Sequence, residues 1–423
     1  MNKSVVIGVG LVGVIGLCAA GTYASGQMLD NIYPMSIAKL NQSPVMEVEM
    51  EQTSSSFFER SHKFMVTLNG EVSLEFTEQV TLLPWGASGE VELVQQGDMF
   101  SQLREETTFT ELPLEISWHA NQLFGNASLE MLMEAFSIES KDPEDSSVAH
   151  IKPLSLSVDA TVSGYAEMFE FTWQGMEFGD GEGTFVMDEM TAGGVGEEND
   201  GVFLMTDGFY KVASVTFHDP DSQTKFNLVD LKFTSRNEKQ GENALLENEF
   251  AVASFDFSDG QQNISMLDAK FEVTLDNLSW QAMKALQTIN QGQMMTDDEA
   301  TQAFSALFNQ GFDVALDTRI NDLSVMGPMG AGSGEVSAKG SLVIQPSDFE
   351  ALQHNPMALM QSLVGELDLS LSQSLADMAA DAGAPPYQAL ADAGYVKVED
   401  GLIKSKLALA AEGLTANGMP LGM

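Results

Sequence analysis

Ser333 has a glycine on each side, Gly332 and Gly334, and a serine so placed can be thrown out on a strained turn as a nucleophile. The Gly-x-Ser-x-Gly motif fails here, because Ala331 stands two places earlier and no strand-to-helix context surrounds it. Ser333 therefore reads as a linker serine. The five histidines, His62, His119, His150, His218 and His354, lie at least thirty residues apart and show no local zinc spacing. They read as surface histidines. Calcium suits this chain better, because hard cations take oxygen ligands and carboxylates are plentiful. Phe178-Gly179-Asp180-Gly181-Glu182-Gly183 and His218-Asp219-Pro220-Asp221-Ser222 come nearest to a ligand loop, but neither has the Asp-x-Asp-x-Asp-Gly order with a closing glutamate. Both read as hairpin turns. No pair of carboxylates is singled out for glycoside hydrolysis, since 62 acidic residues offer too many choices. No residue is assigned a catalytic, cofactor-binding or metal-binding role, and no cofactor is expected.

The elements that would position any site are set by composition and pattern. The chain has 423 residues, too many for one ordinary compact core, although an elongated β-rich body can run through most of it. Hydrophobic residues make up 44%, enough to bury a core, and the net charge of -43 repels phosphate backbones and anionic headgroups. Nucleic acid is excluded as a partner on that ground. The 25 methionines, with Met294-Met295 and the Met326, Met329 pair among them, read mainly as core filler.

Alternation of apolar and polar residues dominates, the mark of strands with one buried face. Met46-Glu47-Val48-Glu49-Met50-Glu51 is one case, and Leu154, Leu156, Val158, Ala160 and Val162 form another. Phe64, Val66 and Leu68 alternate, Asn69-Gly70 intervenes, and Val72, Leu74 and Phe76 resume, which predicts a hairpin. Further runs recur at 169–173, 212–217, 228–233, 252–257, 267–275, 314–320, 336–344, 367–371 and 403–409. Turns are expected at Gly179-Asp180-Gly181, at Gly193-Gly194 and through Gly327–Gly334. Such sheets are antiparallel, with one face in water and the other on a filled core or an apolar groove. Helices are expected at 280–289, after the capping box Thr296-Asp297-Asp298-Glu299, after Ser347-Asp348-Phe349-Glu350, at 357–363 and at 373–382.

At the front, Lys3 is the only charged side chain before Asp30, and the apolar run from Val5 reaches Ala24. As a helix those twenty residues span about 30 Å, the thickness of a bilayer's hydrocarbon core. Thr22-Tyr23-Ala24 also offers a small-x-small cleavage site. The lone cysteine, Cys18, follows Leu17, a poor context for lipidation, and the exported part carries no disulfide. Charge around the span leaves the N-terminus in the cytoplasm and sends the remainder outward.

The exit Gly21-Thr22-Tyr23-Ala24-Ser25-Gly26, the block Phe271-Glu272-Val273-Thr274-Leu275-Asp276-Asn277-Leu278, the stretch Ala303-Phe304-Ser305-Ala306-Leu307, Gly394-Tyr395 and the terminal Gly413-Leu414-Thr415-Ala416-Asn417-Gly418 together resemble the YdgA-like family of bacterial envelope proteins of unknown function. The resemblance implies a retained inner-membrane anchor, a large periplasmic β-rich part and no catalytic residues. The expected fold is mainly β: an elongated antiparallel sheet with a few helices in the C-terminal half, behind one N-terminal transmembrane helix. Residues 1–28 form the anchor, 29–279 a β-rich region, and 280–423 a mixed region continuing the same sheet. The expected role is non-enzymatic, with a lipid or other amphiphile bound along an apolar sheet face. The alternative is a structural or assembly factor that self-associates into a homo-oligomer or binds an envelope protein. A carboxylate- or calcium-dependent hydrolase ranks third.

Overall fold

The computed structural model describes residues 46–421 except 69–71, 84, 122–124, 162–165, 200–201, 285–296, 329, 350–360 and 411–412, together with a few positions before residue 46. The expected membrane helix, Cys18, His354 and most of the helices expected at 347–363 lie outside these residues. Among the described residues no helix is long and apolar enough to cross a membrane. The chain is mainly β and antiparallel, and it divides into two compact units. The first runs through Gly181 and takes back Glu189–Asn199; the second holds Glu182–Asp188 and the chain from Asp200 onward.

The first unit is built on β1 (Met46–Ser55), β2 (Glu59–Leu68), β3 (Val72–Leu83), β4 (Gly86–Val94), β5 (Leu114–Asn121) and β6 (Asn126–Met133), each pairing with the next. The predicted hairpin is present, with Leu68 opposite Val72. After β7 (Phe136–Glu139) and β8 (Val148–Ile151), β9 (Leu154–Thr161) pairs with β6, β10 (Ala166–Trp173) with β9, and β13 (Met190–Asn199) with β10. Together with β11 (Met176–Gly179), β7 and β8 form a short ribbon beyond a break at Lys152-Pro153 and Gln174-Gly175. Proline has no N–H for a ladder, and Gly175 adopts φ 106°, so both residues suit a bend. Gly193 and Gly194, expected in a turn, lie instead inside β13 opposite Glu170 and Phe169.

Alternation does here what the sequence predicts. Phe64 and Val66, Leu74 and Phe76, Ile116 and Trp118, and Leu129 and Met131 are all buried in one core. That core is closed by α1 (Asp98–Glu106), whose Phe100 is buried and whose Leu103 packs beside it. This helix falls in the first half of the chain, where none was expected. It spans only about two turns, too short for a periodic apolar stripe to stand out. Arg104 ties it down by donating to the Gln95 and Thr110 carbonyls, both at 2.8 Å.

The second unit is a meander of long strands: β12 (Thr184–Met187), β14 (Val202–Asp219), β15 (Thr224–Gln240), β16 (Asn243–Ser258), β17 (Asn263–Ser279), β18 (Phe312–Gly327), β19 (Gly330–Ile344), β20 (Leu363–Ser372), β21 (Lys397–Glu399), β22 (Leu402–Ala410), β23 (Gly413–Ala416) and β24 (Met419–Pro420). From β14 to β20 each strand pairs antiparallel with the next, then β20 pairs with β22 and β22 with β23. The expected helices appear as residues 280–284, α2 (Asp297–Gln310) and α3 (Gln373–Asp381), followed by a short unexpected α4 (Tyr387–Asp392).

Candidate functional site

The residues singled out in the sequence are not brought together with one another, and His62, expected at the surface, is instead 3% exposed in the core of the first unit. Ser333 lies inside β19 opposite Ser324, and its backbone N–H meets Ser374 Oγ at 3.2 Å. Its neighbour Gly332 is small for a packing reason: a Cβ there would stand 2.7 Å from the Ser374 carbonyl oxygen of α3. Most of the expected Gly327–Gly334 turn is strand, since Gly327 already pairs with Gly330 and Gly330–Gly334 belong to β19. His119 lies in β5, His150 Nδ1 meets Ser137 Oγ at 2.8 Å, and His218 is the last residue but one of β14. Asp219 begins the turn that follows. Its carboxylate accepts from the Ser222 hydroxyl at 2.7 Å and from the backbone N–H of Asp221 and Ser222, and it is held below the usual carboxylate range chiefly by the Ser222 hydroxyl. Among the described residues no group of three or more His, Cys, Asp or Glu side chains could hold a metal ion.

One polar cluster is buried in the first unit. Glu78, on the inner face of β3, receives the Trp118 indole N–H at 2.8 Å and sits 2.8 Å from His62 Nδ1. A carboxylate this deep costs free energy unless donors surround it. Its partners come from β2 and β5, so the cluster locks three strands in register. It opens to no cleft, being 1% exposed at Glu78.

The second unit differs. Its main buried cluster is small: Leu204, Ala244, Leu278 and Trp280, with Leu246, Leu275, Met283, Leu307 and Phe312 packed against it. Along its strands the apolar residues step by two, then three, then two: Tyr210, Val212, Val215, Phe217 in β14; Phe226, Leu228, Leu231, Phe233 in β15; Phe250, Val252, Phe255, Phe257 in β16; Ile264, Met266, Ala269, Phe271 in β17. A three-residue step in a regular strand would change face. Here the ladder is irregular at that row, with Asp230 at φ 50°, Asp268 at φ 48° and a register shift between Ile320 and Leu323. Register partners share a face. Gly334 and Val336, two apart in β19, oppose Leu323 and Ile320, which oppose Met266 and Ala269, then Phe255 and Val252, Leu228 and Leu231, and Val215 and Val212. The bulged row thus keeps one apolar face continuous from β14 to β19.

At one end the helical residues after Ser279 cover this face through Trp280 and Met283; at another α3 lies against Gly332 and buries Leu375. Between them the face carries a partly exposed row. Across four successive strands Tyr210, Phe233, Phe250 and Phe271 are direct partners, 37%, 37%, 41% and 43% exposed. The row continues through Thr318, Ala338 and Leu369. The opposite face carries the charges: Lys211, Lys232, Lys270, Arg319 and Lys404 share one row, and Glu249, Glu272, Asp317, Lys339, Asp368 and Lys406 the next. Lys270 binds Glu249 at 3.0 Å and Glu272 at 2.6 Å. The hydrogen bond from Lys270 holds Glu249 below the usual carboxylate range.

The model of a bacterial protein family of unknown function, DUF945, matches residues 1–422. No curated protein matches the chain, and no solved structure does.

Proposed function

We propose that this chain, which belongs to the bacterial protein family of unknown function DUF945, is a non-enzymatic binding protein of the cell envelope that holds a lipid or other amphiphile on the apolar face of its second unit. The observation that carries this reading is the exposed aromatic row Tyr210–Phe233–Phe250–Phe271 on a face lined mostly by Val, Leu, Ile, Phe, Met and Ala. Exposed apolar area of this continuity is costly in water at about 25 cal/mol per Å². Hydrocarbon would relieve that cost. A sugar fits less well, since few side chains on the band can bond hydroxyl groups. The apolar run at Val5–Ala24, the charge around it and the resemblance to YdgA-like envelope proteins support a retained inner-membrane anchor with the β units in the periplasm.

Mild purification of the full chain followed by solvent extraction and mass spectrometry tests the binding role: a stoichiometric copurified amphiphile supports it, and a bare protein contradicts it. Protease treatment of spheroplasts tests the location, with degradation expected from outside and protection contradicting it. The same aromatic row supports a second reading, in which two copies cover each other's bands. A monomer at every concentration in sedimentation removes that reading.

A further inference from the structure

Two turns of the first unit leave large apolar side chains in water at one end of its sheet. The turn between β1 and β2 carries Phe57 and Phe58, 85% and 61% exposed, the two highest values for large apolar side chains among the described residues. The turn between β3 and β4 carries Trp85, 51% exposed, close after the exposed Leu83. Glu59 of β2 stands opposite Thr81 of β3, and the Leu82 N–H donates to the Phe58 carbonyl at 2.7 Å, so the two turns adjoin. The first turn is held by its own polar groups. The Ser56 N–H donates to the Glu59 carbonyl at 2.8 Å, and the Ser56 hydroxyl oxygen accepts from the Glu59 N–H at 3.0 Å. The Arg60 guanidinium donates to the Ser56 and Glu59 carbonyls. On this frame the Phe57 and Phe58 rings meet edge to face, 4.8 Å apart.

The two turns also carry no net charge, in a chain of -43. Across 52–61 one acid, Glu59, is balanced by one base, Arg60, and 81–89 contains neither. Asn121, Asn126, Thr161 and Ala166, which flank the next two turns at this end, are uncharged as well. Acidic residues return further across the sheet, at Glu167 of β10 and at Glu197 and Glu198 of β13. A charged protein surface finds little to pair with on such tips. Uncharged Phe, Trp and Leu are instead the side chains that enter the boundary between head groups and hydrocarbon. Ile37 packs against the core of this unit, and the apolar run read as an anchor ends at Ala24. Residues 24 to 37 span at most about 45 Å, so an anchored chain keeps this unit beside the bilayer at high effective concentration. Resting on that anchor reading, we propose that Phe57, Phe58, Leu83 and Trp85 insert among zwitterionic head groups of the same bilayer and dock the first unit on its surface.

The test uses the full chain in phosphatidylcholine vesicles whose acyl chains carry bromine, a contact quencher of tryptophan. Flotation reports whether the chain is retained, and emission reports the tips. The Trp85 share of the emission, taken as the difference between wild type and Trp85→Phe, should be quenched by the brominated lipid. That quenching should be largely lost in the Phe57→Ser, Phe58→Ser double variant, which keeps the probe, while unchanged circular dichroism shows that the variant folds. A floating chain whose Trp85 emission is indifferent to bromine overturns the docking, leaves the anchor standing and turns the tips toward a protein partner. Quenching undiminished in the double variant overturns it too. A chain that fails to float overturns both docking and anchor.

Discussion

Trp118 donates its indole N–H to Glu78 across 2.8 Å, inside a core where both residues are almost wholly buried. His62 Nδ1 holds the other carboxylate oxygen at the same distance. Removing the carboxylate takes a shared partner from two buried donors at once. Glu78→Ala should therefore destabilise the first unit by about 3–5 kcal/mol. Urea unfolding followed by tryptophan fluorescence measures this, and a loss below 1 kcal/mol would show the cluster to be incidental.

Gly89 lies opposite Trp118, and a Cβ on it would stand 2.2 Å from the indole nitrogen. Gly89→Ala must push the ring off Glu78 or distort β4. The expected loss is about 1–3 kcal/mol. Because both substitutions act on the same bond, combining it with Glu78→Ala should cost less than the sum of the two. Additive losses in the same unfolding assay would show that the glycine and the carboxylate are not coupled.

The charged face of the second unit makes a pH prediction. Glu249 is held below its ordinary 4.5, first by the hydrogen bond from Lys270, and Lys270 is held above its ordinary 10.5, first by its hydrogen bond to Glu272. The depressed carboxyl contributes stability that is present above 4.5 and lost as pH falls through its folded value. The raised ammonium contributes stability that is present below 10.5 and lost as pH rises through its folded value. Glu249→Gln should thus be less stable than wild type at neutral pH, with the gap closing in acid. A gap that is constant with pH would contradict the assignment.

Helix α3 depends on a bare backbone at Gly332, where a side chain would strike the Ser374 carbonyl and Met378. Gly332→Val should lift the helix without unfolding the sheet. Hydrogen exchange should then speed up in residues 373–381 and stay slow in β16 and β17. Unchanged protection in α3 would contradict the packing.

Much of this architecture was legible in the sequence. Glutamates alternating with Met46, Val48 and Met50 announced a strand with one dry side, and the Leu68–Val72 hairpin followed from the apolar runs on either side of Asn69-Gly70. The apolar face of the second unit was harder to see. Its strands were found, but simple alternation fails where Leu228 gives way to Leu231 and Met266 to Ala269, so alternation alone does not show which residues share a face. The same two-three-two step in four neighbouring strands was the signal available, and it becomes decisive only when register places the irregular residues in one row. The Glu78 cluster carried no local pattern, because His62, Glu78 and Trp118 are joined by pairing across strands. Ser333 and Gly332 looked like a linker because the helix that requires their small size lies some forty residues on, at Ser374.

The central claim is that hydrocarbon lies on the partly exposed aromatic row of the second unit. A photoactivatable fatty acid, with its diazirine in the chain, can be crosslinked to the full protein and its sites mapped by peptide mass spectrometry. Adducts should concentrate on the peptides bearing Tyr210, Phe233, Phe250 and Phe271, and should fall away in the Phe233→Ser, Phe250→Ser, Phe271→Ser triple variant. Adducts confined to the first unit, or equal labelling of the triple variant, would contradict the account.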